Sequence, residues 1–157
     1  MFKRTVPLLV LAALVIPAAA AAKDVSGPAT LAGHGPVRGT LRSAEGPARV
    51  ELHLSGKILI SGRARDLEVS CTGASVKMRT AVNRRGLELV ACKGRRMTVV
   101  VSATAFHFGA LARRWLIQIP EGVSGKINGR FRMQDDSSNE RPERPVEPAE
   151  PEAPAER

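Results

Sequence analysis

Aromatic residues are scarce in this chain, which has no tyrosine, one tryptophan and four phenylalanines. Proteins that stack nucleic-acid bases depend on flat aromatic faces, and sugar-binding clefts often use them as well. The shortage therefore argues against a stacking nucleic-acid reader and against an aromatic sugar cleft. We expect no nucleic-acid partner.

Residue types that carry catalysis and metal binding are also few. The three histidines, His34, His53 and His107, show no zinc-ligand spacing. The chain has no Cys-x-x-Cys redox motif and no Gly-x-Ser-x-Gly nucleophile motif. The sequence therefore predicts no catalytic residues, no metal site and no cofactor, and a hydrolase lacking a recognisable motif is the least favoured alternative.

One apolar stretch stands out, at the N-terminus. Lys3 and Arg4 precede the mainly apolar residues 6–16, and Pro17 separates these from the alanines at 18–22. This pattern predicts a signal peptide over residues 1–22 that is cleaved before Lys23. An uncleaved anchor is the alternative, but the stretch is shorter than the roughly 20 residues that span a bilayer. We expect a periplasmic or extracellular protein.

The net charge of +9 is unevenly distributed. Residues 134–157 contain eight acidic and three basic side chains, so the preceding part is more basic than the whole. A strongly basic domain favours anionic partners such as lipid headgroups or acidic glycans. The alternative is a solvated surface whose many arginines only reflect the base composition of the genome.

Prolines recur at every third position from Pro142 to Pro154. This composition predicts a disordered tail over 134–157.

Between the two terminal segments, apolar residues alternate with polar ones, as strands require. The predicted inward-facing residues are Val50, Leu52, Leu54, Ile58, Ile60, Leu67, Val69, Cys71, Val76, Met78, Leu87, Leu89, Ala91, Met97, Val99, Val101, Phe106, Phe108, Trp115, Ile117, Ile119, Ile127, Phe131 and Met133. Glycines punctuate these runs, as in Ser55-Gly56-Lys57 and Lys93-Gly94, and predict tight turns.

The predicted fold is therefore all-β. We expect one small domain of eight to ten short strands over 38–133, arranged as a sandwich or roll and preceded by a flexible leading segment over 23–37. Residues 67–73 align with residues 87–94, and this faint repeat of about 20 residues leaves a short β-solenoid as the alternative. Short turns favour antiparallel hairpins over the parallel coils of a solenoid.

Short strands separated by Ser-Gly and Gly-Arg pairs occur in residues 54–63, 99–108 and 125–131. The pattern resembles small exported β-rich bacterial proteins of unknown function and covers most of 39–133. This chain has fewer glycines at less regular spacing. The resemblance implies a β-rich exported domain and assigns no functional residue.

Two features carry specific predictions. Cys71 and Cys92 occupy matching places in the repeat, and export leads to an oxidising compartment, so a disulfide is expected over two separate buried thiols. The cationic clusters fall between predicted strands, where turns at one end of the domain would gather them into an anion-binding rim. The predicted rim residues are Arg84, Arg85, Lys93, Arg95, Arg96, Arg113 and Arg114. The alternative places these residues on different edges.

The sequence thus favours an exported, non-enzymatic β domain that associates with an anionic envelope lipid or glycan. The runner-up is a structural or interaction module that binds a protein partner, with incidental charge.

Overall fold

The computed structural model describes residues 21–135, in which every regular element is a β-strand. The strands are β1 (Lys23–Ser26), β2 (Ala29–Ser43), β3 (Ala48–Arg63), β4 (Glu68–Val82), β5 (Leu87–Ala103), β6 (Ala105–Ile119) and β7 (Val123–Asp135). The all-β prediction is confirmed. The expected signal peptide (1–22) lies outside the described residues except for residues 21–22. The expected tail (134–157) lies outside them except for residues 134–135, which belong to β7.

The strands are fewer and longer than the eight to ten short ones expected. All but β1 contain 13 to 17 residues. The difference arises because Ser55-Gly56-Lys57 and Lys93-Gly94 lie inside β3 and β5, where the register shifts, instead of forming turns. By contrast, Gly86 and Gly122 do occupy the short connections, with φ values of 72° and 79°.

All seven strands belong to one sheet in the order β1-β7-β2-β6-β3-β5-β4. Every pair of neighbours is antiparallel. Because solenoid coils pair in parallel, the alternative of a short β-solenoid is wrong. Within the described residues the sheet has two unpaired edges, formed by the short β1 and by the long β4.

A line of register shifts crosses the middle of the sheet, and we call it the bend. In each case one strand carries more residues than its partner between two regular pairs, which is the definition of a β-bulge. The bend comprises residues 34–36, 55–56, 73–76, 94–96 and 112–114. Aligned bulges on successive strands curve a sheet in one direction, so they divide this sheet into two layers.

Chain connectivity shows that the two layers face each other. Ala103 pairs with Ala48 at one end of the sheet, whereas Ala105 pairs with Arg42 at the other end. In a flat sheet these ends would lie about 50 Å apart, since a strand rises about 3.3 Å per residue. Residues two positions apart span at most about 7 Å. The sheet is therefore folded across the bend, with its ends brought together.

The first layer contains residues 29–33, 48–54, 68–72, 97–103, 115–119 and 130–135, and the second layer contains 23–26, 37–43, 57–63, 77–82, 87–93, 105–111 and 123–129. Hydrogen bonds join the connections at the open ends. Asp66, in the β3–β4 link, accepts from the backbone N–H of Thr104 at 2.7 Å and from its hydroxyl at 2.9 Å. These bonds hold the ends of the two layers together.

The core fills the space between the layers. Leu31, Leu41, Ile60, Val99 and Ile127 each have a relative exposure of 0 %. The core includes residues from both layers and from every strand except β4, whose Val69, Cys71 and Val76 pack against it partly buried. This two-layer arrangement agrees with the expected sandwich or roll, although a single folded sheet forms it.

The predicted disulfide is present and lies beside the bend. The Cα atoms of Cys71 and Cys92 are 6.5 Å apart. The two cysteines are not in register with each other, because Cys71 is in register with Val99 and Cys92 with Met78. Val99 lies seven positions after Cys92 along β5, so only the fold across the bend brings the two cysteines together. The bond therefore ties one layer to the other.

Residues 23–37 are not a flexible leading segment. They form β1 and the first half of β2, and Val25, Leu31 and Val37 belong to the core. Their alternation was obscured by Gly33, Gly35 and Pro36. The domain thus includes this segment. Within the described residues, no helix is long and apolar enough to cross a membrane.

Candidate anion-binding groove

A groove of about 1160 Å³ follows the bend on the outer surface of the folded sheet. Its cationic lining residues are Lys57, Lys77, Lys93, Arg95, Arg96, Arg113 and Arg114. The other lining residues within 21–135 are glycine, serine, alanine or leucine, and none of these is acidic. The groove therefore concentrates positive charge beside small, uncharged side chains.

Three lysines of the groove lie directly opposite one another. Lys57 of β3 is in register with Lys93 of β5, and Lys93 is in register with Lys77 of β4. All three are exposed and lie on the outer face of the second layer. Like charges directly opposite on neighbouring strands are destabilising, because their side chains start only about 5 Å apart. This row of lysines is thus a local cost to the fold.

The four arginines come from the bulges themselves. Between the pairs Leu54–Met97 and Gly56–Gly94, β5 carries two residues, Arg95 and Arg96, against one in β3. In the same way, Arg113 and Arg114 of β6 oppose one residue of β3 between regular pairs. Since the inside of the bend is packed, the extra residues project outward, and all four are exposed.

The backbone around these arginines is fixed by local contacts. Arg96 has a positive φ of 47°, which non-glycine residues adopt infrequently. Its backbone N–H donates to Ser55 Oγ at 2.9 Å, across the β3–β5 pair. An added Cβ at Gly56 would lie 2.2 Å from the carbonyl oxygen of Leu111, so only glycine permits this approach of β3 and β6. The sequence thus builds the bend with both a strained arginine and an obligatory glycine.

The structure brings together five of the seven predicted rim residues. Lys93, Arg95, Arg96, Arg113 and Arg114 line the groove, but they lie within β5 and β6 and not in turns as predicted. The prediction of turns is wrong because a glycine-flanked cluster can also mark a bulge within a continuous strand.

Arg84 and Arg85 do occupy a turn, as predicted, but they do not line the groove. Their turn joins β4 to β5, and Asn83 organises it by accepting from the backbone N–H groups of Arg85 and Leu87 at 2.9 and 3.0 Å. Sequence reasoning also missed Lys57 and Lys77. A correct strand register would have found them, because both align with Lys93.

The groove cations have no acidic partners among the described residues. The close contacts of acidic side chains with basic ones lie elsewhere in residues 21–135, where His53 Nε2 is 2.9 Å from Glu51 Oε1 and Lys126 Nζ is 3.9 Å from Asp24 Oδ1. Arginine offers several N–H donors in a planar arrangement that matches phosphate and carboxylate oxygens, while lysine supplies compact charge. The arrangement is chemically suited to an anion with several oxygens.

The three histidines do not converge. His53 Nδ1 lies 3.2 Å from the hydroxyl of Thr98, and His107 Nδ1 lies 2.7 Å from that of Thr40. Across the part of the chain that the structure describes, no group of three His, Cys, Asp or Glu residues is arranged to hold a metal ion.

No protein-family model, curated protein sequence or solved structure matches this chain.

Proposed function

We propose that this chain is an exported, non-enzymatic module that binds an anionic component of the cell envelope in the groove along the bend. The observation that carries the proposal is the register of Lys57, Lys93 and Lys77 beside four arginines, with no acidic residue among the described residues that line the groove. An anion that bridges these cations would offset their mutual repulsion. The fold alone requires only exposed residues there, and neutral polar side chains would meet that requirement.

The disulfide supports the expected location. Bonds such as Cys71–Cys92 form and persist in oxidising compartments and are rare in the cytosol. Together with the signal peptide predicted over residues 1–22, it favours a periplasmic or extracellular protein. In such a compartment, anionic lipids and glycans are more accessible partners than nucleic acid.

Binding of a soluble polyanion, inorganic polyphosphate, tests the proposal. Trp115 is the only tryptophan, is 3 % exposed and lies one residue from Arg114, so its fluorescence can report occupancy of the groove. The groove variant carries Lys57→Gln, Lys77→Gln and Lys93→Gln. We expect it to bind at least about ten-fold more weakly than the wild type, since each tenfold change corresponds to only about 1.4 kcal/mol.

A matched control removes the same charge elsewhere. It carries Arg84→Gln, Arg85→Gln and Lys126→Gln, all exposed residues that do not line the groove. We expect this variant to bind like the wild type at about 0.15 M salt, where the Debye length is about 8 Å. Equal weakening of both variants would show that binding follows net charge, and absence of wild-type binding would refute the proposal.

The free edge of β4 favours a second candidate, a module that binds a protein partner by strand addition. β4 ends the sheet with 15 residues, and its Met78 and Val82 are 43 % and 61 % exposed. Exposed strand edges accept added strands through backbone hydrogen bonds. Sedimentation at about 1 M salt tests the simplest donor, a second copy, because screening then leaves mainly apolar contacts. A salt-resistant dimer that Val82→Lys dissociates would favour this candidate, and a monomer would argue against self-pairing.

A further inference from the structure

We propose that the ligand of this surface is an anionic lipid bilayer, which the second layer of the sheet contacts with its outer face. The inference rests on the proposed function and specifies its partner. It is carried by an observation that the groove charges do not explain, namely two large apolar side chains exposed beside the lysine row. Leu59 is 50 % exposed and Leu111 is 61 % exposed.

The two leucines lie on the same face as the lysines. Leu111 of β6 is in register with Lys57 of β3, so it extends the row formed by Lys57, Lys93 and Lys77. Leu59 lies two residues further along β3, and side chains two residues apart on a strand point to the same side. Leu59 and Leu111 are therefore diagonal neighbours, about 7 to 8 Å apart at their backbones.

A second row next to the lysine row places Leu59 between small residues. Leu59 is in register with Gly109 on one side and with Ala91 on the other. A Cβ added at Gly109 would meet no atom within 4 Å, so the surface beside Leu59 is open to solvent. Leu59 consequently stands above its neighbours and is available to an apolar phase.

Cations close both ends of this second row. Gly109 is in register with Arg38 of β2, and Ala91 is in register with Arg79 of β4. Both arginines are exposed. Two leucines are thus surrounded by five cations on one face, which are Arg38, Lys57, Arg79, Lys77 and Lys93.

This distribution matches the interface of an anionic membrane and not a soluble polyanion. Basic side chains near such a surface are attracted to its negative potential. Apolar side chains that enter the boundary between headgroups and acyl chains add affinity in proportion to the apolar area they bury. A soluble phosphate polymer or an acidic glycan offers no apolar phase, so it would use the cations and leave the leucines in water.

Co-sedimentation with vesicles tests the inference on the full mature chain. The vesicles contain equal parts of phosphatidylglycerol and phosphatidylcholine, and pure phosphatidylcholine vesicles serve as the uncharged comparison. The test variant carries Leu59→Ser and Leu111→Ser. We expect it to bind the anionic vesicles on the order of ten-fold more weakly than the wild type. Leu111 lines the groove but carries no charge, so the affinity of this variant for soluble polyphosphate should fall much less than its affinity for the vesicles.

Three further variants test whether the effect depends on this face and not on folding or general hydrophobicity. Val82→Ser with Met133→Ser removes two apolar residues whose exposed fractions, 61 % and 50 %, equal those of Leu111 and Leu59. This variant should bind vesicles like the wild type. Gly109→Glu places a negative charge in the open space beside Leu59 without a steric clash, so it should weaken vesicle binding, whereas Gly109→Ala should not.

The outcomes separate this inference from the proposed function. Wild-type protein that binds polyphosphate but not anionic vesicles would overturn the lipid inference and leave an anion-binding groove. The lipid inference would also fail if Leu59→Ser with Leu111→Ser bound vesicles as tightly as the wild type, because the contact would then be electrostatic alone. Wild-type protein that bound neither probe would overturn both.

Discussion

Reversing the charge of Lys93 should make the protein more stable while weakening its binding of anions. Lys93 stands between Lys57 and Lys77, so Lys93→Glu converts two like-charge pairs into two opposite-charge pairs. Cross-strand charge pairs contribute roughly 0.2–1 kcal/mol each, and the exposure of these side chains places them in the lower part of that range. We expect a gain of about 1 kcal/mol in the free energy of unfolding, or roughly 4 °C in Tm.

Thermal and urea unfolding at low and high salt measure the effect. The gain should shrink at about 1 M salt, where the Debye length is about 3 Å. Lys93→Gln should give a smaller gain, since it removes the repulsion without adding attraction. Lys126→Glu is the matched control, because Lys126 is in register with Asp24, so the same change creates a like-charge pair and should destabilise the protein.

The result that would refute this reasoning is a loss of stability, or no change, for Lys93→Glu at low salt. Either outcome would mean that the three lysines are not close enough to repel one another, and the proposal that an anion offsets their repulsion would lose its basis. A gain in stability accompanied by unchanged binding of polyphosphate would retain the register but remove Lys93 from the site.

Three further predictions follow from the bend, the links and the termini. Replacing Cys71 and Cys92 by alanine should lower the free energy of unfolding by about 3 kcal/mol, the loop-closure entropy for the 21-residue separation, and reducing agent should then have no further effect in urea unfolding. Asp66→Ala should cost about 1–3 kcal/mol in thermal unfolding, since it leaves the N–H of Thr104 without its acceptor, and a neutral result would mean that water replaces the carboxylate. Residues 136–157 carry seven acidic and three basic side chains, and as a tethered segment they compete with external anions at an effective concentration of order millimolar. Removing them should therefore strengthen polyphosphate binding at low salt. Unchanged affinity at every salt concentration would exclude this competition.

The sequence predicted the chemistry of the fold better than its geometry. Alternation correctly identified the core residues of β3 and of the second half of β5. The same alternation could not distinguish a turn from a bulge. Either one changes the phase of the pattern, as it changes between Phe108 and Trp115 in β6. Only the pairing with neighbouring strands shows that the chain continues as one strand through a bulge and does not reverse in a turn.

The first half of β5 shows the cost of this ambiguity. Alternation predicts that Leu87, Leu89 and Ala91 face inward, but the structure buries Val90 and Cys92 and leaves Ala91 exposed. Nearly every residue in this stretch is apolar, so alternation alone permits both phases. The register with β3 settles the phase, because Cys92 lies opposite the buried Ile58. The sequence likewise does not show that the exposed Leu59 and Leu111 are neighbours, because their proximity depends on the pairing of β3 with β6.

The bend that makes a core possible also creates the groove. A single antiparallel sheet of this size can bury a face only by folding onto itself, and bulges are the means by which strands fold. Each bulge adds a residue that has no place inside, so Arg95, Arg96, Arg113 and Arg114 are forced outward at one line on the surface. The fold therefore explains the position of these side chains but not their charge. Serine or asparagine would satisfy the same backbone without repulsion from the neighbouring lysines. The proposed anion, held where the strands bend, would account for the cations that the fold does not need.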